Sequence, residues 1–391
     1  MKAMEKIYDF DQIIDRHGTN ALKTDALAKR YGNADLIPLW VADMDFATPD
    51  FITDALLARM KHPIFGYTQN PPGFYPSIIR WLKEQHQWDV KKEWLSYIPG
   101  IVKGIGLAIN VFSDEGDKIV IQPPVYHPFR LVPQGNKRQV VYNPLKIGRD
   151  HYEMDFVQLE EILKDERCKI LILSNPHNPA GLVWNSDTLT TLSDICARHS
   201  VLVLSDEIHA DMALYDNRHT PFATVSDTAA NNSITFGAPS KTFNIAGLVS
   251  SFSIVPNDAI RLRFYSWLAA NELNEPTIFA TIATEAAYTH GREWLKQLLT
   301  YLEGNIAFIE QYFKQNLPKI KVVKPQASFL VWLDCRELGL SHNELVDLFV
   351  KKAGLALNDG EMFGPGGEGF MRMNIGTPRS VLEKACKRIK L

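Results

Sequence analysis

Four short runs of this chain are apolar without alternation: KIVIQ at 118–122, KILILS at 169–174, VLVLS at 201–205 and SITFG at 233–237. A strand with one wet face alternates apolar and polar residues. An unbroken run needs both faces covered, as in a parallel sheet enclosed by helices. Helical patterns lie between the runs. Over 155–164, Phe156, Leu159, Ile162 and Leu163 recur at helical spacing, and 186–199 opens on Ser186 as a candidate N-cap. This alternation predicts an α/β architecture around a central, largely parallel sheet.

Beyond about residue 285 the texture changes. A long helical stretch at 293–316 precedes SFLVWLD at 328–334, a helix around 342–352 and a last strand near 370–374. These predict a smaller α+β domain. A length of 391 residues suits two cores better than one. We therefore expect a large domain over 46–289, and a small domain built from 290–391 with the N-terminal arm 1–45.

Composition narrows the function classes. The net charge of −3 carries no basic excess that would favour nucleic acid or an acidic membrane. Segment 1–45 is too short and too weakly basic for a fused DNA-binding domain. Cys168, Cys196, Cys335 and Cys386 are far apart and form no C-x-x-C pair, a spacing that suits reduced thiols in the cytoplasm. Residues 1–16 lack the apolar stretch of a signal peptide, and no window approaches a membrane span.

In open α/β sheets, ligands settle at the carboxyl ends of the strands. Here polar loops follow all four runs: P-P-V-Y-H-P with Tyr126, N-P-H-N-P-A-G at 175–181, D-E-I-H at 206–209 and A-P-S-K-T-F-N at 238–244. Together they bring one lysine (Lys241), one carboxylate (Asp206), one amide (Asn178) and one aromatic ring (Tyr126). That set meets the needs of pyridoxal 5′-phosphate. Lys241 supplies an amine for a Schiff base, and Asp206 can keep the pyridine nitrogen protonated. Asn178 can hydrogen-bond the ring hydroxyl, and Tyr126 can stack on the ring. Singly, each has a plainer reading: a surface lysine, a capping aspartate, a turn asparagine and a wedged tyrosine. The combination in this order carries the argument.

For the phosphate, Gly100 opens a helical stretch, and the N–H groups of a helix start face anions; Ile101 and Val102 are the donors and Ser240 a second source. G-x-x-x-G-x-G is not the dinucleotide fingerprint and follows no clear strand. A helix start without a ligand fits the local pattern equally well. The cluster Asp206, Glu207, His209 and Asp211 is not read as a metal site, because one short run rarely converges three ligands. The glycine-rich stretch 364–369 lacks Gly-Lys-Ser/Thr and is expected to be a flexible loop.

The motifs N-P-H-N-P-A-G, S-D-E-I-H and S-K-T-F-N resemble those of the aspartate-aminotransferase superfamily of fold type I pyridoxal enzymes. P-L-W-V-A-D-M-D-F at 38–46, F-G-Y at 65–67 and S-K-T-F-N-I-A-G-L are similar to the MalY/PatB group of cystathionine β-lyases. The resemblance covers essentially the whole chain. It implies a mainly parallel seven-stranded sheet, Lys241 as cofactor-bearing base, and Asp206, Asn178, Tyr126, Ser240, Ile101, Val102 and His209 as cofactor contacts. It further implies that Arg372, in F-M-R-M-N-I-G, clamps the substrate carboxylate, with Trp40, Val41 and Tyr126 near the substrate. Tyr67 would reach the cofactor of a second subunit, so a homodimer with shared sites is expected. The implied reaction is α,β-elimination on a thioether or cysteine-conjugate amino acid, giving a thiol, pyruvate and ammonia. An aminotransferase using the same residues is the alternative. One departure matters: many aminotransferases carry an arginine just beyond the lysine to neutralise the phosphate. Here A-G-L-V-S-S at 246–251 has none, and the next is Arg261.

Overall fold

The computed structural model describes residues 6–148 and 151–390, so the first five residues of the expected N-terminal arm lie outside the described residues. Seven strands form the central sheet in the order Leu95–Ile98, Ser251–Ile254, Ser233–Gly237, Leu202–Asp206, Cys168–Ser174, Lys118–Ile121, Gln139–Tyr142. Only Ser251–Ile254 runs against its neighbours. The apolar runs are unbroken because both faces are packed. Ile119, Ile121, Ile170, Ile172, Leu202 and Leu204 turn to one side and join the helices Ile101–Phe112 and Asp258–Ala270. Val120, Leu171, Leu173 and Val203 turn to the other, against Ser186–Arg198.

A second, antiparallel sheet orders Lys321–Val323, Leu330–Asp334, Phe370–Asn374 and Asn358–Asp359. The N-terminal segment joins this unit, since Ile37–Pro38 pairs in parallel with Leu355–Ala356. One apolar cluster runs from Phe10 through Phe243 and Trp294 to Ile389, packing the long helix Arg292–Asn316 between the two sheets' neighbourhoods. No helix among the described residues is long and apolar enough to cross a membrane.

Four local expectations are corrected. The cap of Ser186–Arg198 is Asn185, whose side chain accepts from the Thr188 amide; Ser186 is already helical. The 342–352 helix is regular only over His342–Asp347 and widens to a π-turn at Leu348–Lys352. Leu348, Phe349 and Val350 are consecutive and all buried, which the wider turn accommodates. Gly100 does follow a strand, Leu95–Ile98, whose Ser96 disguises it in the sequence although it too is buried. Finally, the 364–369 segment is a hydrogen-bonded turn rather than a loose loop: Gly367 N–H donates to Gly364 and Phe370 N–H to Gly367, both at 3.1 Å. It lies close to Pro123 and Pro124.

The loop that carries Asn178 is tied to the second sheet's approach through Gly181. Its carbonyl accepts from Gln326 at 2.8 Å and Ala327 at 3.0 Å. Gly181 has φ +67°, and a Cβ there would lie 2.6 Å from Pro325 Cβ. Gly181→Ala combines a left-handed backbone with overpacking, so we expect a loss of ~2 kcal/mol. Urea denaturation of the variant checks it; a midpoint matching that of the parent protein would refute it.

Candidate active site

The strands of the large sheet end together, and their loops close around a cavity of about 300 Å³. Lys241, Asp206, Asn178, Tyr126, Ser240, His209, Ile101 and Val102 all line it. These residues come from five strand ends, and parallel pairing is what delivers them to one edge.

Asp206 closes its strand, opposite Ser174 on one side and Phe236 on the other. Its Oδ1 accepts from the Ile208 amide at 3.1 Å. Burial pushes its carboxyl up to about 7, with Glu207 adding to the rise and Lys241 opposing it. No cation pairs with Asp206 among the described residues. Lys241 is partly accessible through the cavity, but protein surrounds its amine, which donates to the Ala42 carbonyl. That desolvation brings the amine down to about 8; Asp43 and Asp206 resist the fall and Arg372 adds to it. His209 is also buried and is driven down to about 3, so it is neutral, with Nδ1 unpartnered among the described residues.

Arg372 sits on the Phe370–Asn374 strand, beside the cavity and not among its lining residues. Its guanidinium donates to Asn178 Oδ1 at 3.1 Å, to the Trp40 carbonyl at 3.0 Å and to Asn358 Oδ1 at 2.7 Å. It lies 4.9 Å over the Phe363 ring. Burial lowers it to about 10, Nε has no partner, and no carboxylate pairs with it among the described residues. Because Asn178 spends Oδ1 on Arg372, its Nδ2 is the group left for the cavity. The Tyr126 amide donates to the Asn178 carbonyl at 3.1 Å, holding the ring at the cavity wall.

Gly100 (φ +105°) caps the Ile101–Phe112 helix without a side-chain hydrogen bond. The first-turn amides of Ile101, Val102 and Lys103 thus lack intrahelical acceptors and line the cavity. With Ser240 and Ser251 also on the wall, they are a set of donors suited to an anion without an arginine. A carboxylate short of a cation, a desolvated amine, an amide donor, a ring and these anion donors fit pyridoxal 5′-phosphate.

Trp40 and Val41 contribute through their backbones. The Trp40 side chain packs with Leu27, Leu36, Val350 and Ala356, and its Nε1 donates to the Lys23 carbonyl at 2.9 Å. The Val41 carbonyl accepts from Asn374 at 2.6 Å. Tyr67 is fully exposed and is not among the residues that line this cavity. Glu207 and Asp211 face away from the cavity: Glu207 pairs with His219 and Asp211 with His86, each at 2.8 Å.

Sequence reasoning singled out the strap at 40–46 as a motif, with Trp40 and Val41 near the substrate, but missed the role of its backbone. Its carbonyls at Trp40, Val41, Ala42 and Asp43 accept from Arg372, Asn374 and Lys241. Asn244 (φ +56°) binds Met44 N–H and the carbonyls of Met44 and Phe46, at 3.0, 3.0 and 2.7 Å. Arg16 pairs with Asp43 and Asp45, and the fully buried Lys23 with Asp45 at 2.8 Å. Backbone acceptors have no sequence signature; Asn244 and Asn374 stood inside quoted motifs but were given no role.

A buried carboxylate raised to about 7 binds its proton in the folded chain while it would be ionised in the unfolded one. Asp206 therefore destabilises the cofactor-free protein increasingly from pH 3.8 upward, with the cost complete above about 7. Asp206→Asn should stabilise cofactor-free protein in urea at pH 8, and much less at pH 5. Equal effects at both values would rule out a desolvated carboxylate.

The aminotransferase class I and II family profile matches residues 34–389. The chain is 43% identical to cystathionine beta-lyase PatB of Bacillus subtilis (strain 168), over 98% of this chain and 99% of that one. It is 36% identical to protein MalY of Escherichia coli (strain K12), over 97% of each. The crystal structure of cystalysin from Treponema denticola, which contains a pyridoxal 5′-phosphate cofactor, superposes with a TM-score of 0.94 at 33% identity, covering 98% of both chains. The chain belongs to the aminotransferase class I and II family.

Proposed function

We propose that this protein is a pyridoxal-phosphate-dependent carbon–sulfur β-lyase that cleaves cystathionine or a related cysteine thioether. Homocysteine, pyruvate and ammonia would be the products from cystathionine and water. The observation that carries this reading is the pair of buried opposite charges, Asp206 and Arg372, each without an ion-pair partner among the described residues and each acting on Lys241. The choice of elimination rests on the similarity to PatB.

When bound, pyridoxal phosphate supplies an electron-poor ring that takes up the negative charge left at the substrate α-carbon. Asp206 would keep the pyridine nitrogen protonated, the two opposite charges relieving each other's burial. Asn178 Nδ2 and His209 would hydrogen-bond the ring hydroxyl, Tyr126 would stack on the ring, and the amides of Ile101 and Val102 with Ser240 would hold the phosphate. Arg372 pairs two-pronged with the substrate carboxylate. That fixes the α-carbon within reach of Lys241 Nζ, which removes its proton. Burial brings this amine down to about 8, which raises its neutral fraction above that of an ordinary lysine and suits it to act as a base. The thiolate then leaves the β-carbon.

A homodimer accompanies this reading. Leu57, Met60, Ile64 and Phe65 are exposed apolar side chains close in sequence to Tyr67. A second copy would cover them and bring Tyr67 to its cofactor. Four free, buried cysteines suit the cytoplasm.

Purified holoenzyme given cystathionine and no 2-oxo acid should release pyruvate and free thiol in equal amounts. Lys241→Ala should lower this turnover ~10³-fold or more. A strict requirement for a 2-oxo acid would mean transamination instead. Sedimentation should give twice the chain mass, and Tyr67→Ala should weaken cofactor retention without lowering the Tm of cofactor-free protein. A monomeric, fully active enzyme would remove the shared site.

A further inference from the structure

Next to the Lys241 loop lies a set of buried polar side chains that the proposed chemistry does not use. Asp211, 7% exposed at its side chain, accepts three hydrogen bonds. Trp81 Nε1 donates at 2.9 Å, His86 Nε2 at 2.8 Å and Thr242 Oγ1 at 3.0 Å. The first two stand on the helix Phe74–His86; Thr242 is the residue after Lys241. Despite its burial, these donors, His86 first, hold Asp211 below the usual carboxylate range, so it is ionised.

The set continues to the other key residue. The His86 ring meets His219 edge-on at 5.4 Å, His219 pairs with Glu207, and Glu207 directly follows Asp206. Glu207 is itself fixed by Ser205 Oγ and the Phe222 amide, both at 2.8 Å. Two carboxylate–histidine pairs thus brace the 206–211 segment that follows the Asp206 strand.

Few regular hydrogen bonds hold the Lys241 loop. Phe243 N–H donates to Pro239 at 2.9 Å and Ile245 N–H to Ser240 at 3.0 Å. Its side chains provide the rest: Asn244 grips the strap, Phe243 packs against Trp81 at 5.7 Å, and Thr242, fully buried, spends its hydroxyl on Asp211. A buried threonine hydroxyl aimed at an ionised carboxylate fixes direction as well as distance.

We propose that Asp211 is a positioning residue for Lys241, acting through Thr242 and anchored by Trp81 and His86. It rests on the reading of Lys241 as the cofactor-bearing base. Held this way, Nζ keeps its orientation when the amine exchanges its partner at the Ala42 carbonyl for the reacting atoms. The charged groups acting on Lys241 itself are Asp43, Arg372 and Asp206, and none of them hydrogen-bonds to Asp211, whose partners are Trp81, His86 and Thr242.

The test compares Asp211→Asn, Thr242→Val and Thr242→Ser as holoenzymes. Three quantities are read: kcat and KM on cystathionine, the pH midpoint of the visible band of the bound cofactor without substrate, and Tm. Asp211→Asn and Thr242→Val should lower kcat ~10–100-fold with KM nearly unchanged, as expected for a displaced reacting group. Both should move the midpoint by ~0.5 pH unit or more. Thr242→Ser, which restores the hydroxyl, should match the parent protein. A lower Tm with unchanged midpoint and kcat would reduce Asp211 to a structural brace. An effect of Asp211→Asn that Thr242→Val does not share would refute the route through Thr242. Should Asp211→Asn fail to fold, the two Thr242 variants decide alone. The midpoint is read without substrate, so it stands even if the reaction is not elimination.

Discussion

Desolvated charge without a partner is the constraint around which this molecule is built. Asp206 and Arg372 are each buried, and neither forms an ion pair among the described residues. Leaving such groups uncompensated costs several kcal/mol each. A chain free to rearrange would turn them toward water. It does not, because backbone ladders hold them. Asp206 pairs on both sides in the middle of a seven-stranded sheet, and Arg372 faces Trp332 and Asn358 across a four-stranded one. The two sheets thus store a mould whose missing counter-charges are a cation beside Asp206 and an anion beside Arg372.

The strap at 40–46 makes the two halves of the mould one object. On one side Asn244 and Lys241 bind it; on the other, Arg372 and Asn374 do. Most of these contacts use strap carbonyls, so they fix backbone positions and tolerate changes in strap side chains. The strap's own carboxylates, Asp43 and Asp45, are answered by Arg16 and Lys23. A bidentate arginine and a fully buried lysine are costly to assemble, and they justify that cost only by holding the strap in one place.

What the sequence made legible follows from the same physics. Strands buried on both faces leave unbroken apolar runs, so the sheet and its polar edge could be read directly. Lys241, Asp206, Asn178 and Tyr126 emerge from loops tied to those runs. Arg372 has no such local signature, since a strand arginine reads as surface; the motif resemblance singled it out. Leu95–Ile98 hid because Ser96 interrupts it, although all four residues are buried. Backbone acceptors such as the Ala42 carbonyl, and long-range partners such as Asp211 and Thr242, depend on tertiary placement that no periodicity encodes.

The basicity of Lys241 shows how these parts combine. In the chain alone, burial and Arg372 lower it, while Asp43 and Asp206 raise it. Two of these fields are cancelled when the site fills in the proposed way. A cation at Asp206 removes one raising influence, and a carboxylate on Arg372 removes one lowering influence. What remains is burial opposed by Asp43, the strongest of the charges acting on Lys241. Asp43 belongs to the strap, and Arg16 holds it by two hydrogen bonds of 3.0 and 2.7 Å. The segment that joins the two sheets therefore also carries the charge that acts most strongly on Lys241, which is a physical reason for placing carboxylates in a strap whose carbonyls already do the binding.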